Sequence, residues 1–181
     1  MRSLLISIKP KYLADILNGK KTIEIRKTKP QCDLPIDVYI YCTKEDSLIK
    51  LQERYKDRYV GEQNFKCEDF PKMYSGYEGK GKVVAKFVLN KIDLVNESAD
   101  IIDIMLKSRL TLGELTKYLG NKVGYAWHID NLEIFDRPKE LSEFYTKLAQ
   151  IGMNMNGHCC GAICGIPLKR PPQSYQFIEV Y

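Results

Sequence analysis

Lys21, Glu24 and Arg26 follow Gly19 in the run LNGKKTIEIRK, Leu17 to Lys27. An ammonium, a carboxylate and a guanidinium at this spacing can do recognition chemistry. Lys21 and Arg26 can neutralise a phosphate or carbonyl oxygen, Arg26 with two parallel donors. Glu24 can accept from an exocyclic amine, as a carboxylate does when it reads cytosine N4 or a guanine edge. Lys9, in the same basic segment, is a further candidate contact for a ligand. The plainer alternative is an ion pair of Lys21 with Glu24, or of Glu24 with Arg26, that only orders a strand end and contributes about 0–1 kcal/mol at a surface.

Other residues invite chemistry with weaker signals. Tyr125, Trp127 and His128 sit in YAWHIDNLEIF, whose alternation puts Tyr125 and Trp127 on one face and Ala126 and His128 on the other. An aromatic pair on an open face can stack bases, at about 1–3 kcal/mol per base; strand aromatics more often fill a core. His128 can carry a proton if it reaches a cleft, or serve as a hydrogen-bonded structural histidine. His158, Cys160 and Cys164 in HCCGAIC, with Cys67 as a fourth partner, are weak zinc candidates, because the paired C-x-x-C spacing of a zinc knuckle is absent. RPPQS adds Arg170, Gln173 and Ser174 beside a rigid turn, with Gln173 and Ser174 as candidate ligand contacts.

These residues need elements to place them. LLISI, Leu4 to Ile8, reads as a buried strand. Pro10 then opens a helix in which Tyr12, Leu13, Ile16 and Leu17 recur at helical spacing, and Gly19 stands where a left-handed residue ends it. TIEIRK alternates, so Ile23 and Ile25 face the core while Thr22, Glu24 and Arg26 share the other face, with Glu24 and Arg26 about 7 Å apart along it. IDVYIYC (Ile36 to Cys42), KVVAKFVLNKIDL and the closing YQFIEVY read as strands, and SLIKLQERYK (Ser47 to Lys56) as an amphipathic helix. TLGELTKYLG carries a capping box, Thr111 with Glu114, and a terminal glycine, Gly120. DRPKELSEFYTKLAQIG reads as a further helix, with Pro138 near its first turn and Leu141, Phe144, Tyr145 and Leu148 in register.

The chain has 181 residues, 44% apolar and 28% charged, the composition of an ordinary soluble domain. It lacks an apolar stretch long enough to span a bilayer, and MRSLLISIKPKY lacks the apolar run of a signal peptide. A cytoplasmic protein without a membrane partner is expected, and its six cysteines are expected to be reduced. The net charge is +5, yet residues 1–30 hold eight basic side chains against two acidic ones, a balance of +6, so the other 151 residues carry −1. Such clustering suits a local anion-binding surface, or a face kept basic for solubility. The expected organisation is one α+β domain over residues 1–181, with a loop insertion around 62–82 and a cysteine-rich loop over 152–174.

Gly19, Lys21, Glu24 and Arg26 fit the pattern G-x-K-x-x-E-x-R, which resembles the signature of the ASCH family, a branch of the PUA-like superfamily. The flanks ISIKPKYLADILNGKKTIEIR, YAWHIDNLEIFDRPKEL and RPPQS are similar to those of longer members. The resemblance implies a PUA-like small mixed β-barrel with flanking helices and a cleft beside the signature strand. It also implies recognition of RNA or a modified nucleotide. No resident cofactor is expected. Some small members hydrolyse the acyl group of N4-acetylcytidine, which makes a hydrolase, acting on an acylated nucleoside or on RNA, the alternative. Lys21 and Glu24 would then take acid and base roles. Those hydrolases pair the motif lysine with a threonine where this chain has Glu24, and use a later glutamate that falls around Ser108 here, so two positions depart from that mechanism. A zinc-assisted interaction domain is the third reading.

Overall fold

The computed structural model describes residues 2–44, 81–95, 100–146 and 166–180. Leu4, Leu5, Ile6 and Ile8 are buried on both faces of β1 (Arg2–Ile8), as befits a strand covered on two sides. It runs parallel to β3 (Ile36–Cys42) and antiparallel to β8 (Tyr175–Glu179). β3 pairs with β4 (Val83–Leu89) and β4 with β7 (Asp130–Lys139), which gives a five-stranded sheet in the order β7-β4-β3-β1-β8. Three short strands make a second sheet: β2 (Ile23–Arg26), β6 (Gly124–His128) and β5 (Ile92–Val95), in that order.

The alternation of apolar residues sorts the molecule into layers. Leu4, Ile6, Val38, Ile40, Phe87 and Trp127 form the main core, in which the two sheets meet Leu13, Ile16 and Leu17 of helix α1 (Pro10–Leu17). On the far side of the smaller sheet, Ile23, Ile25, Val95 and Ala126 pack against Ile104 of α2 (Ile101–Ser108) and Leu115 and Leu119 of α3 (Leu112–Leu119). Gly124 lets α3 sit close, because a Cβ there would lie 2.8 Å from a Leu119 methyl. A third cluster, with Leu5, Tyr39, Tyr41, Phe135, Phe144 and Ile178, covers the outer face of the larger sheet.

The α+β class expected from the sequence is what the described residues show, but their strands stay in two open sheets and do not close into a small barrel. Where closure would need a ladder between β2 and the β1–β8 edge, side-chain bonds stand instead. Arg26 of β2 donates to the carbonyls of Ser7 in β1 and Ser174 just before β8. The helix expected over DRPKELSEFYTKLAQIG is also corrected as far as Thr146. β7 continues through Pro138 to Lys139, a single 3-10 turn covers Leu141–Glu143, and Tyr145 bridges Pro167 and Glu179. β7 is an edge strand, where proline's missing N–H is tolerated, and the apolar spacing of Leu141 and Phe144 serves one tight turn. α2, not anticipated, begins at Asp100, whose side chain accepts from the backbone of Ile102 and Asp103.

The expected helix over Ser47 to Lys56 and nearly all of the expected loop at 62–82 lie outside the described residues, as do residues 152–165 of the cysteine-rich loop. No helix among the described residues is long and apolar enough to cross a membrane.

Candidate functional site

The turn after α1 aims the motif. Asn18 closes the helix through its side-chain amide on the Ala14 carbonyl, and Gly19 takes φ +62°, a conformation costly for any residue with a Cβ. The N–H groups of Lys20 and Lys21 then both donate to the Asp15 carbonyl, each at 2.9 Å. This reversal leads into β2 with Lys21 buried just ahead of the strand. The Thr22 N–H donates to the Lys107 carbonyl at 2.9 Å and pins the strand to the end of α2.

Lys21 is 2% exposed and Arg26 5%. Lys21 Nζ donates to the Ser108 carbonyl at 2.8 Å. Ser108 is the last residue of α2, so the ammonium meets an orphan carbonyl at the negative end of a helix dipole. Glu24 lies between the two cations, with Oε2 3.2 Å from Lys21 Nζ and Oε1 3.2 Å from Arg26 Nη2. Arg26 Nη2 also donates to Ser7 O at 2.9 Å, and Nη1 to Ser174 O at 3.2 Å. Its Nε is buried with no hydrogen-bond partner among the described residues. Two buried cations thus share one carboxylate, which leaves excess positive charge where water screens it poorly.

This triad forms the floor of a cavity of about 310 Å³. Ser7, Ile8 and Lys9 line it from the end of β1, Tyr12 from α1, Leu110, Glu114 and Tyr118 from the α2–α3 turn and α3, and Gln173 from the segment before β8. Glu114 closes the α3 capping box on Thr111 and meets Lys11 Nζ at 2.7 Å. The Lys11 ammonium first, then the Thr111 donors, pull the Glu114 carboxyl down to about 2. Burial pushes the Tyr118 phenol above its usual range, with Glu24 adding to the rise and Arg26 opposing it.

Of the residues singled out in the sequence, Lys9, Lys21, Glu24, Arg26 and Gln173 line the cavity, and Ser174 supports it through its carbonyl. Tyr125 and Trp127 sit opposite Arg26 and Glu24 in the β2–β6 ladder, yet neither lines the cavity. Trp127 is fully buried in the main core with its ring 5.7 Å from that of Tyr175, and Tyr125 packs against the same core. His128 lies elsewhere, with Nε2 2.8 Å from Asp93 Oδ2. His158, Cys160, Cys164 and Cys67 are outside the described residues. The sequence reading does not find Ser7, Ile8, Tyr12, Ile25, Leu110, Glu114 or Tyr118 as lining residues. In the sequence Tyr12 reads as part of its helix's apolar stripe and Glu114 as a cap, and Tyr118, an aromatic in the last turn of an amphipathic helix, carries the clearest signal.

No family model and no curated protein matches the chain. Among solved structures it is similar to an ASCH protein from Zymomonas mobilis, with a TM-score of 0.55, 18% identity, and coverage of 98% of this chain and 87% of that one. It is also similar to a Tyr-to-Phe variant of that protein (TM-score 0.53, 17% identity, 98% and 90% covered) and to a Ser-to-Ala variant (0.53, 18%, 98% and 88%). Over these lengths the chain has the fold of an ASCH-like domain.

Proposed function

We propose that the cleft is the recognition site of an RNA-binding module and takes one nucleotide at the Lys21–Glu24–Arg26 floor. The ASCH-like fold supports this in general terms. The observation that carries it is the buried triad with its excess positive charge, set under a cavity large enough for a small ligand. Burying two cations against one carboxylate is a poor way to stabilise a fold, since each charge loses its hydration. The same arrangement is well suited to hold donors and an acceptor in fixed positions for a ligand. The basic N-terminal segment supplies the long-range attraction for a polyanion.

The hydrolase alternative draws support from Glu114, a second carboxylate in the lining. Two features favour binding over turnover. A carboxyl held near 2 has no proton to give at neutral pH and is a weaker base than an ordinary glutamate. Glu24 is tied at both oxygens and is not a hydroxyl nucleophile.

The test is fluorescence anisotropy of a short labelled RNA, and of its DNA counterpart, titrated with wild type and Lys21→Met at two salt concentrations, with the RNA run on a gel afterwards. Salt-sensitive binding that Lys21→Met weakens at least tenfold, with the RNA intact, is the expected result. Binding indifferent to Lys21→Met overturns the proposal, and RNA shortened by wild type but not by Lys21→Met replaces it with the hydrolase.

A further inference from the structure

We propose that the cleft reads the ring of its ligand, not its phosphate, and that Tyr12 and Tyr118 hold that ring by its faces above the triad. The inference rests on the nucleotide-binding reading and specifies how the ligand enters: base first.

The chemistry of the floor points this way. Arg26 Nη1 donates to Ser174 O, and Nη2 donates to Ser7 O and is ion-paired with Glu24, while the Nε–H left without a partner among the described residues is fully buried, so the guanidinium presents no open two-pronged fork to a phosphate. Lys21 has three N–H donors and spends them on Ser108 O and Glu24, which leaves one for a ligand. Beside it, 3.2 Å away, stands the Glu24 carboxylate, an acceptor with lone pairs to spare. A phosphate, all acceptors and negative, would satisfy Lys21 and be repelled by Glu24. A heterocycle edge that carries an acceptor next to an N–H satisfies both, and every nucleobase has such an edge.

The walls add the second, independent observation. Tyr12 on α1 and Tyr118 on α3 both line the cavity, and a 2.7 Å Lys11–Glu114 contact links the two helices beside it. Lys11 is the neighbour of Tyr12, and Glu114 lies one turn before Tyr118 on the same helix face. Tyr118 is 40% exposed, an aromatic ring left open at the mouth of a basic cleft, while Trp127 and Phe87 are fully buried. Lys27 Nζ is 5.0 Å from the Tyr118 centroid, and Lys21 Nζ is 5.9 Å from that of Tyr12. Aromatic faces interleaved with cations are the surface on which bases stack in single-stranded nucleic-acid sites.

The experiment is competition against the bound labelled RNA by each of the four nucleoside 5′-monophosphates and by ribose 5-phosphate, with wild type, Tyr118→Leu and Tyr118→Phe. Tyr118 is exposed, so both variants should fold; a thermal melt of each checks this. The proposal expects at least one nucleoside monophosphate to compete at least tenfold better than ribose 5-phosphate. It also expects Tyr118→Leu to weaken RNA binding on the order of tenfold while Tyr118→Phe stays within about twofold of wild type. Ribose 5-phosphate competing as well as the best nucleotide overturns it, as does Tyr118→Leu binding RNA like wild type. RNA binding that Lys21→Met weakens while Tyr118→Leu leaves it unchanged would sink the ring-reading inference and keep the binding site; binding indifferent to both would sink both.

Discussion

The smaller sheet has a carboxylate bridging two basic side chains at each of its two edges. At the β2 edge Glu24 bridges Lys21 and Arg26; at the β5 edge Asp93 bridges Lys91, 2.8 Å away, and His128, also at 2.8 Å. Residue types alone would rate the second cluster the more reactive, because it contains an imidazole. The structure separates them by surroundings. In the Asp93 cluster Lys91 and Asp93 are well exposed and His128 is half-buried. The Glu24 cluster is buried, anchored by three backbone carbonyls from α2, β1 and the approach to β8, and floors a cavity. A carboxylate between two basic side chains is common surface chemistry; what makes one such bridge a candidate site is the fold that desolvates it and leaves room beside it.

The comparison can be broken at its strongest point by removing each bridging carboxylate. Glu24→Ala leaves Lys21 and Arg26 buried without an anion and should cost about 3–5 kcal/mol of stability in urea unfolding. Asp93→Ala should cost no more than about 1 kcal/mol. Equal losses would mean that burial does not distinguish the two edges. Trp127→Ala tests the claim that this ring is core and not a stacking platform, with an expected loss of about 3–5 kcal/mol. Smaller, and informative about the cleft wall, is Lys11→Ala. In wild type the Glu114 side chain should titrate near 2, and the variant should move it back toward the usual 4.5 in a carbon-13 NMR titration. Because its folded value lies below its unfolded one, the Glu114 contacts stabilise the fold above about pH 4.5 and are lost as pH falls toward 2. Asp93 follows the same sign with a smaller expected effect. Lys91 first, and His128 after it, lower its carboxyl from the usual 3.8, so its contribution is present above that pH, fades below it, and should disappear from the pH profile in Asp93→Asn.

What the sequence disclosed was what local chemistry decides. Pro10 and Gly19 bracket α1, Thr111, Glu114 and Gly120 bracket α3, and the alternation of TIEIRK sends Ile23 and Ile25 to one face and Glu24 and Arg26 to the other. Nothing local marked the remainder. Pro138 reads equally as a helix start or as an edge-strand residue, and only the pairing of β7 with β4, a strand some fifty residues earlier, decides between them. The fate of Trp127 was open for the same reason: alternation placed it on Tyr125's face, but whether that face was open or covered depended on the larger sheet packing over it. The cleft wall was the least legible part. Tyr12 and Tyr118 are separated by about a hundred residues and line one cavity only because the fold sets two helices from different layers on either side of it.

The most direct test removes the same charge from both edges. RNA affinity is measured at low and physiological salt for Lys21→Met and for Lys91→Met, two variants with identical net charge, one substituted just before β2 and the other just before β5. The account predicts that Lys21→Met weakens binding at least tenfold while Lys91→Met stays within about twofold of wild type, the small loss expected of one distant charge. Equal loss in both variants would contradict it, for the RNA would then be held by the protein's overall positive charge and not by the cleft.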